Sequence, residues 1–592
     1  VETRFTHRPL RVYAFDPSQG RGLGNFMTVK LPYEQLQPGP SGAYISVIDY
    51  DAANGVYYQP VDLNDFSVLL YGGLAPTELD PRFHQQMVYA VARETMHHFE
   101  RALGRRLKWG FHKREPLRIF PHAMQEANAY YDRNVHGILF GYFAASAEDP
   151  GRNLPGQTIY TCLSHDIIAH ETTHAILDGQ RPNFMQDTNA DVPAFHEAFA
   201  DVVALFQHFS YREALRDTMI RTGGQLFRDR VDARLPIAND GDAVVGAQLG
   251  RNNPLIDLAR QFGESTARRG ALRSALGTKP NTRALDFTSE PHERGSILVA
   301  AIFDAYFTAL QNRTADLYRI ARAGGASVTT NELHPDLAER LCDEAAKTAE
   351  HFLTLCIRAI DYCPPVDITF GDYLRALITA DTDVEPEDRH DYREALIEAF
   401  RSRGITIDSA ASLSQDALRW RGVSVAKGER EPCCEPLTFD LNSEDPRKDE
   451  NYRRVWTFAQ EFWRPLRLAE KYDSRKPGNI ACQVQSVIPV VRSVEGRARI
   501  EIVAEIVQRD DIRLDPNDDT SPLIRVYGGS TVHLNYDGSV RYIIHRSLDD
   551  DERLSKIRDY WQTKRAGNAR LTYVTDDAID TTLKFCAVHR GL

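Results

Sequence analysis

Residues 166–178 read DIIAHETTHAILD, and this stretch constrains the chain more than any other. His170 and His174 stand four apart, and Glu171 directly follows the first. Ile167, Ile168, Ala169, Ala175, Ile176 and Leu177 flank them. On a helix, residues four apart lie one above the other on the same face. Both imidazoles can then reach one metal ion while the apolar residues bury the rest of the helix. Zn²⁺ suits two imidazoles and a carboxylate, with a fourth position left to water. Glu171 adjoins a ligand without being one, so it falls beside that water, where a general base belongs. The third ligand comes from AFHEAFADV at 194–202. There Glu197 and Asp201 are again four apart on a predicted helix, among Phe195, Phe199, Ala200 and Val203. Carboxylates in such surroundings need partners. Glu197 can complete a His/His/Glu set, and Asp201 can take the free ring N–H of a ligand histidine.

The order of elements is a β-rich part followed by a mainly helical part. LRVYAF, FMTVKL, AYISVIDYD and FSVLLY, between residues 8 and 72, read as strands separated by Gly, Pro, Asn and Asp. From Asp80 to Leu107 the apolar residues recur at helical spacing. PLRIF, ANAYYD and GILFGYFAA then read as strands. Helices are expected from the 160s to 178, at 193–209, 295–312, 333–361 and 389–402. After Gly404 the helical period fades. GEREPCCEP and NSEDPRKDEN form a polar, Pro-containing link. QVQSVIPVV, ARIEIVAEIV, LIRVYGG, STVHLNY and VRYIIHRSL follow as strands, with a hairpin turn at Asp537-Gly538. The expected division is 1–160 (β-rich), 161–406 (helical, with the metal site), 407–445 (linker) and 446–592 (a separate C-terminal α+β domain). The fold class is α+β.

Net charge is −12 with dispersed basic residues, which argues against a nucleic acid or anionic membrane partner. No stretch is apolar enough to span a bilayer. ILVAAIFDAYFTAL, from Ile297, is too short and carries Asp304, so a buried helix is expected. No signal segment opens the sequence; a soluble protein is expected and its compartment stays open, with a lean to the cytoplasm, since a start at Val1 rather than Met is compatible with a removed leader or pro-segment. The eight cysteines form no CxxC pair, so reduced thiols are expected.

Asp166 to Asp178 together with HEAFAD resembles the thermolysin-like gluzincin metallopeptidases. NAYY, from Asn128, resembles that family's Asn-Ala-aromatic edge strand. PHERGS, from Pro291, lies where the family keeps a second catalytic histidine. DITFGDYLRALITAD and DYREALIEAFRSRGI look like its final helices. The resemblance covers residues 8–406 and implies two lobes, one β-rich and one helical, with a zinc cleft between them. It implies that His170, His174 and Glu197 bind Zn²⁺, which polarises the scissile carbonyl. Glu171 would deprotonate the zinc-activated water and pass the proton to the leaving amine. His292, oriented by Glu290 or Asp286, would stabilise the oxyanion. Asn128 and the Ala129 backbone would hold a peptide or protein substrate as an added strand.

The chain departs from that pattern in places. Residues 179–193 contain Phe184 but no tyrosine to assist the oxyanion, and His196 stands where the family often has Asn. Arg251 and Arg294 are candidates for a substrate-clamping arginine. Asp166 matches a family calcium ligand, but His208 lies where a further carboxylate is expected, which counts against calcium. The leading expectation is a zinc endopeptidase. An exopeptidase of the same class stays open, as does an inactive zinc-binding scaffold acting through a protein partner of its C-terminal domain. Recruiting substrate and covering the cleft as an inhibitor are the other roles left open for that domain.

Overall fold

The computed structural model describes residues 6–17, 25–111, 115–148, 150, 153–213, 215–216, 279–323, 334–407, 410–422, 430–439, 448–469, 481–494, 497–567, 574–575 and 578–589, and the account below concerns these. The chain begins with strands. β1 (His7–Val12) and β2 (Met27–Pro32) pair antiparallel, each burying alternate residues. β3 (Ile45–Val47) is followed by a small β4 (Tyr50–Asp51) and β5 (Val56–Tyr57) hairpin. β6 (Leu117–Met124), β7 (Ala129–Asp132), β8 (Gly137–Ala144) and β9 (Thr158–Tyr160) join β3 in one sheet. Its order is β3-β6-β8-β7, with β9 also on β8, so β7 forms an edge.

FSVLLY is not a strand. Phe66–Leu70 is a short helix, α1, because the Asp65 carboxylate caps it by accepting the Ser67 N–H at 2.8 Å. The run has no alternation to bury, and Phe66, Leu70 and Tyr71 all lie exposed. The next helical segment forms as its period predicts. α2 (Pro81–Leu103) starts with an Asp80 cap and a proline in the first turn, and stops at Gly104 in the left-handed conformation. It packs against β1, β2 and β6 on one side and the following helices on the other.

The helical part comprises α3 (His165–Gln180), α4 (Asp191–Phe209), α5 (Pro291–Ala323), α6 (Pro335–Ala359), α7 (Phe370–Val384) and α8 (Tyr392–Ser402). α4 lies at the centre, against α3, α5 and α6. Leu298–Phe303 and nearly all the apolar residues that follow to Leu310 are buried, so the apolar run from Ile297 belongs to the core. No helix among the described residues is long and apolar enough to cross a membrane.

The last part adds α9 (Lys448–Glu461), β10 (Ala481–Val494), β11 (Arg497–Arg513), β12 (Leu523–Asn535), β13 (Val540–Arg546), α10 (Asp551–Gly567), β14 (Val574–Thr575), β15 (Ala578–Ile579) and α11 (Phe585–Val588). The sheet order is β10-β11-β12-β15-β14, with β13 also on β12. LIRVYGG and STVHLNY are one strand rather than two. β12 continues through Gly529 at φ 146°, where a side chain would collide with the Ile506 carbonyl. Gly538 makes the expected hairpin turn at φ 87°. The chain as a whole is therefore α+β.

This sheet has apolar clusters of its own, yet it docks on the helical part through buried charges. Asp361 takes two hydrogen bonds from the Arg105 guanidinium, at 2.7 and 2.8 Å, and lies 3.4 Å from Arg492 of β10. The His533 Nε2–H donates to the Asp361 carbonyl at 2.9 Å. Arg181, just after α3, donates to Glu505 of β11 and to the Cys363 carbonyl. Removing Asp361 takes the carboxylate from the buried Arg105 guanidinium and leaves Arg492 with Glu501 alone, 3.3 Å away. Asp361→Ala is therefore expected to cost about 3–5 kcal/mol in chemical denaturation. A loss under about 1 kcal/mol would mean that water solvates the freed arginines. The eight cysteines are free thiols, five of them buried.

Candidate metal centre

α3 and α4 run side by side, and the two halves of the candidate site face each other across them. The N-terminus of α4 is satisfied by Asn189, whose side-chain oxygen accepts the Asp191 N–H at 2.7 Å and the Val192 N–H at 3.2 Å. That fixes the register which presents Glu197 inward. The His170 and His174 Nε2 atoms lie 3.0 Å apart. Glu197 Oε2 is 3.3 Å from the first and 3.7 Å from the second. Ligands about 2.0–2.2 Å from a tetrahedral ion stand roughly 3.3 Å from one another, so this triangle is the size a metal requires.

Two further observations favour a metal. Both Glu197 oxygens are buried and accept no hydrogen bond of good geometry among the described residues. Such a carboxylate is costly unless something positive is bound to it. In addition, the His170 Nδ1–H donates to Asp201 Oδ1 at 2.8 Å. A carboxylate only accepts, so Nδ1 carries a proton, and Nε2 is the nitrogen that would turn its lone pair to a metal, as ligand histidines are held. Burial alone would raise the Glu197 carboxyl, but the His292, His174 and His589 rings around it hold it well below the usual range. Burial lowers His174, the direction that favours the neutral ring a metal ligand needs. These buried His and Glu groups can hold a metal ion.

Glu171 is buried beside the triangle, and its Oε2 accepts the Tyr131 N–H at 3.0 Å. β7 thus carries the Glu171 contact on the outward side of its ladder. Asn128 immediately precedes β7; its carbonyl accepts the Gly141 N–H at 2.8 Å, tying the start of the strand to β8. Ala129 is the first residue of β7, with its carbonyl turned toward the centre.

His292 opens α5, and its Nε2 lies 3.3 Å from Glu197 Oε2. Gly295 makes this approach possible, since a Cβ there would stand 2.8 Å from the Ala194 carbonyl of α4. Between the two acids left open by spacing, Glu290 is the partner, accepting the His292 Nδ1–H at 2.8 Å. Asp286 is exposed and pairs with Arg283. Burial opposes charge on His292, but Glu197 and Glu290 together lift it to about 10.

Other sequence candidates lie elsewhere or act differently. Arg294 is bound to Asp191 and to the Leu285 and Thr288 carbonyls, so it holds the α4–α5 junction. Arg251 lies outside the described residues. Phe184 packs in the core against Phe195. His196 sits with its Nδ1 3.4 Å from His174 Nδ1. Asp166 is paired with His208 at 3.2 Å; burial would raise its carboxyl, but the His208 and His165 rings hold it at about 2. A histidine thus stands on the carboxylate where a calcium ion would need oxygen ligands.

No protein-family model matches this chain, and no curated protein matches it.

Sequence reasoning missed His589. Its Nε2 is 3.4 Å from Glu197 Oε1, its Nδ1 is 3.6 Å from Glu171 Oε1, and it is buried. The ligand atoms of His170, His174, Glu197 and His589 all lie within 4.8 Å of one another. Phe585, one helical turn earlier, stacks on the His174 ring at 4.2 Å. CAVHRGL carries no motif, and no spacing rule links it to residues some four hundred positions upstream.

Proposed function

We propose that this chain is a zinc metallopeptidase of the thermolysin-like gluzincin kind, hydrolysing peptide bonds. One observation carries the reading. The side chains of His170, His174 and Glu197 converge on one point, while a second carboxylate, Glu171, is held beside them by the edge of a strand and not among them. A site built only to store metal has no use for that base.

His170, His174 and Glu197 would hold the ion, and two imidazoles with one carboxylate suit zinc. When bound, zinc supplies Lewis-acid polarisation of a carbonyl and makes water a better nucleophile. Glu171 takes the proton from the attacking water and delivers it to the leaving amine nitrogen. Its hydrogen bond from the Tyr131 N–H holds the carboxylate beside the three converging side chains, where it can exchange a proton with water. His292, with Glu290 on its Nδ1, presents Nε2–H to the oxyanion that develops on the substrate. Asn128 and Ala129 sit where a substrate main chain would add to the edge of β7, which orients the scissile bond. In this reading the helical part and the sheet of β3, β6, β7 and β8 are the two walls of a thermolysin-like cleft.

The test is metal content and cleavage of a mixed peptide library, with and without chelator, on the full chain and on His589→Ala. About one zinc per chain and chelator-sensitive cleavage by the variant are expected. Metal without cleavage in either protein would overturn the peptidase reading. The cut positions report internal or terminal action. In the protein that cleaves, His292→Ala is expected to keep its metal and lower kcat by about 10²–10³-fold. Unchanged kinetics would remove His292 from the site.

A further inference from the structure

The centre carries one ring that hydrolysis does not need. His589 reaches it on a segment that is fastened at several points. The Asp187 N–H donates to the Thr581 carbonyl at 2.8 Å, and the Leu583 N–H donates to the Met185 carbonyl at 2.7 Å. The Thr581 hydroxyl donates to Gln186 Oε1 at 2.9 Å. Thr581, Leu583, Phe585 and His589 are all buried. The receiving residues, Met185 to Asp187, belong to the connection between the two ligand helices α3 and α4. Asp187 is itself held by Tyr560 at 2.7 Å, by Lys564 and by the Trp561 ring N–H.

The orientation of His589 is settled by what it touches. Its Nδ1 lies 3.0 Å from the Ala129 carbonyl, which can only accept, so Nδ1 carries the proton. On the neutral ring that metal binding requires, Nε2 is then the unprotonated nitrogen, and it is the one that faces Glu197. A backbone carbonyl on one ring nitrogen with the other turned to a metal is the usual posture of a ligand histidine. The same contact occupies the Ala129 carbonyl, which a bound substrate strand would need. Closed four-ligand sites are structural, whereas catalytic ones keep a position open.

We propose that His589 is a fourth protein ligand of the metal, and that the Thr581–His589 segment thereby keeps the site closed to water and substrate. This rests on the metal-centre reading above. In the closed state His589 fills the position that water needs, and Phe585 covers the His174 ring. Opening withdraws His589, frees the Ala129 carbonyl and exposes Glu171 to solvent.

The experiment loads the full chain with Co²⁺, whose visible absorption reports its ligands, and adds acetohydroxamate, a small chelating probe for an open metal position. His589→Ala removes the ligand. His589→Asn does so more gently, since its amide can still donate to the Ala129 carbonyl. The full chain is expected to give a spectrum that millimolar acetohydroxamate leaves unchanged. Both variants are expected to show a shifted spectrum and to bind the probe at least about tenfold more tightly, a difference of about 1.4 kcal/mol. Identical spectra and identical probe responses in all three proteins would overturn the closed site while leaving the metal centre standing. Failure of the full chain to take up cobalt would overturn both.

Discussion

Glu171→Gln, placed in a chain that also carries His589→Asn, is expected to retain its metal and to lose peptide hydrolysis by about 10²–10⁴-fold. Glutamine has the shape of glutamate, and its amide oxygen can still accept the Tyr131 N–H that Glu171 accepts now. None of the three ligand side chains is touched. What disappears is a group able to take a proton from water and return it to the leaving nitrogen. Metal content and kcat measured on one preparation separate the two effects. A variant that cleaves as fast as its parent would sink the assignment of Glu171 as the base. A variant that also loses its metal would show instead that the carboxylate helps hold the ion.

His170→Ala in the same His589→Asn background is expected to lose the metal outright. Loss of a supporting hydrogen bond to a ligand costs roughly 10–100-fold in affinity. Removing the ligand itself must cost more, because only His174 and Glu197 then remain. With His589 in place three ligands survive, and the loss is expected to be smaller. Competition against a chelator of known affinity measures both. Equal affinities with and without His589 would show that this ring contributes nothing to holding the ion. Tight binding by the doubly substituted chain would take His170 out of the centre.

That His170, His174 and Glu197 could face one point was legible from local spacing. His170 and His174 are neighbours on any helix, as are Glu197 and Asp201, and apolar flanks announce that such helices are buried. The α+β order was legible for the same reason, since strand and helix periods differ. What failed was one local choice, the Asp65 cap, and whatever depends on how the fold arranges the chain around each residue. The run at Phe66 looks like a strand by composition, but a capping aspartate made it a helix. Spacing offered both Asp286 and Glu290 to His292, and only the fold, by leaving Asp286 in solvent, chose between them. Arg294 looked available for substrate, yet Asp191 claims it across a helix junction. His589 is the extreme case, because its role arises from a sheet docked by buried ion pairs and from a segment threaded along residues 185–187.

A closing group on the same chain has a consequence for concentration. An inhibitor supplied as a separate molecule leaves on dilution, because its binding is bimolecular. His589 competes for the metal as a tethered group, with an effective concentration of order millimolar that no dilution changes. Purification cannot wash it away, and a soluble peptide must outcompete it from a large disadvantage. A single backbone cut beyond Gly567 converts that unimolecular contest into an ordinary dissociation, after which dilution alone releases the segment.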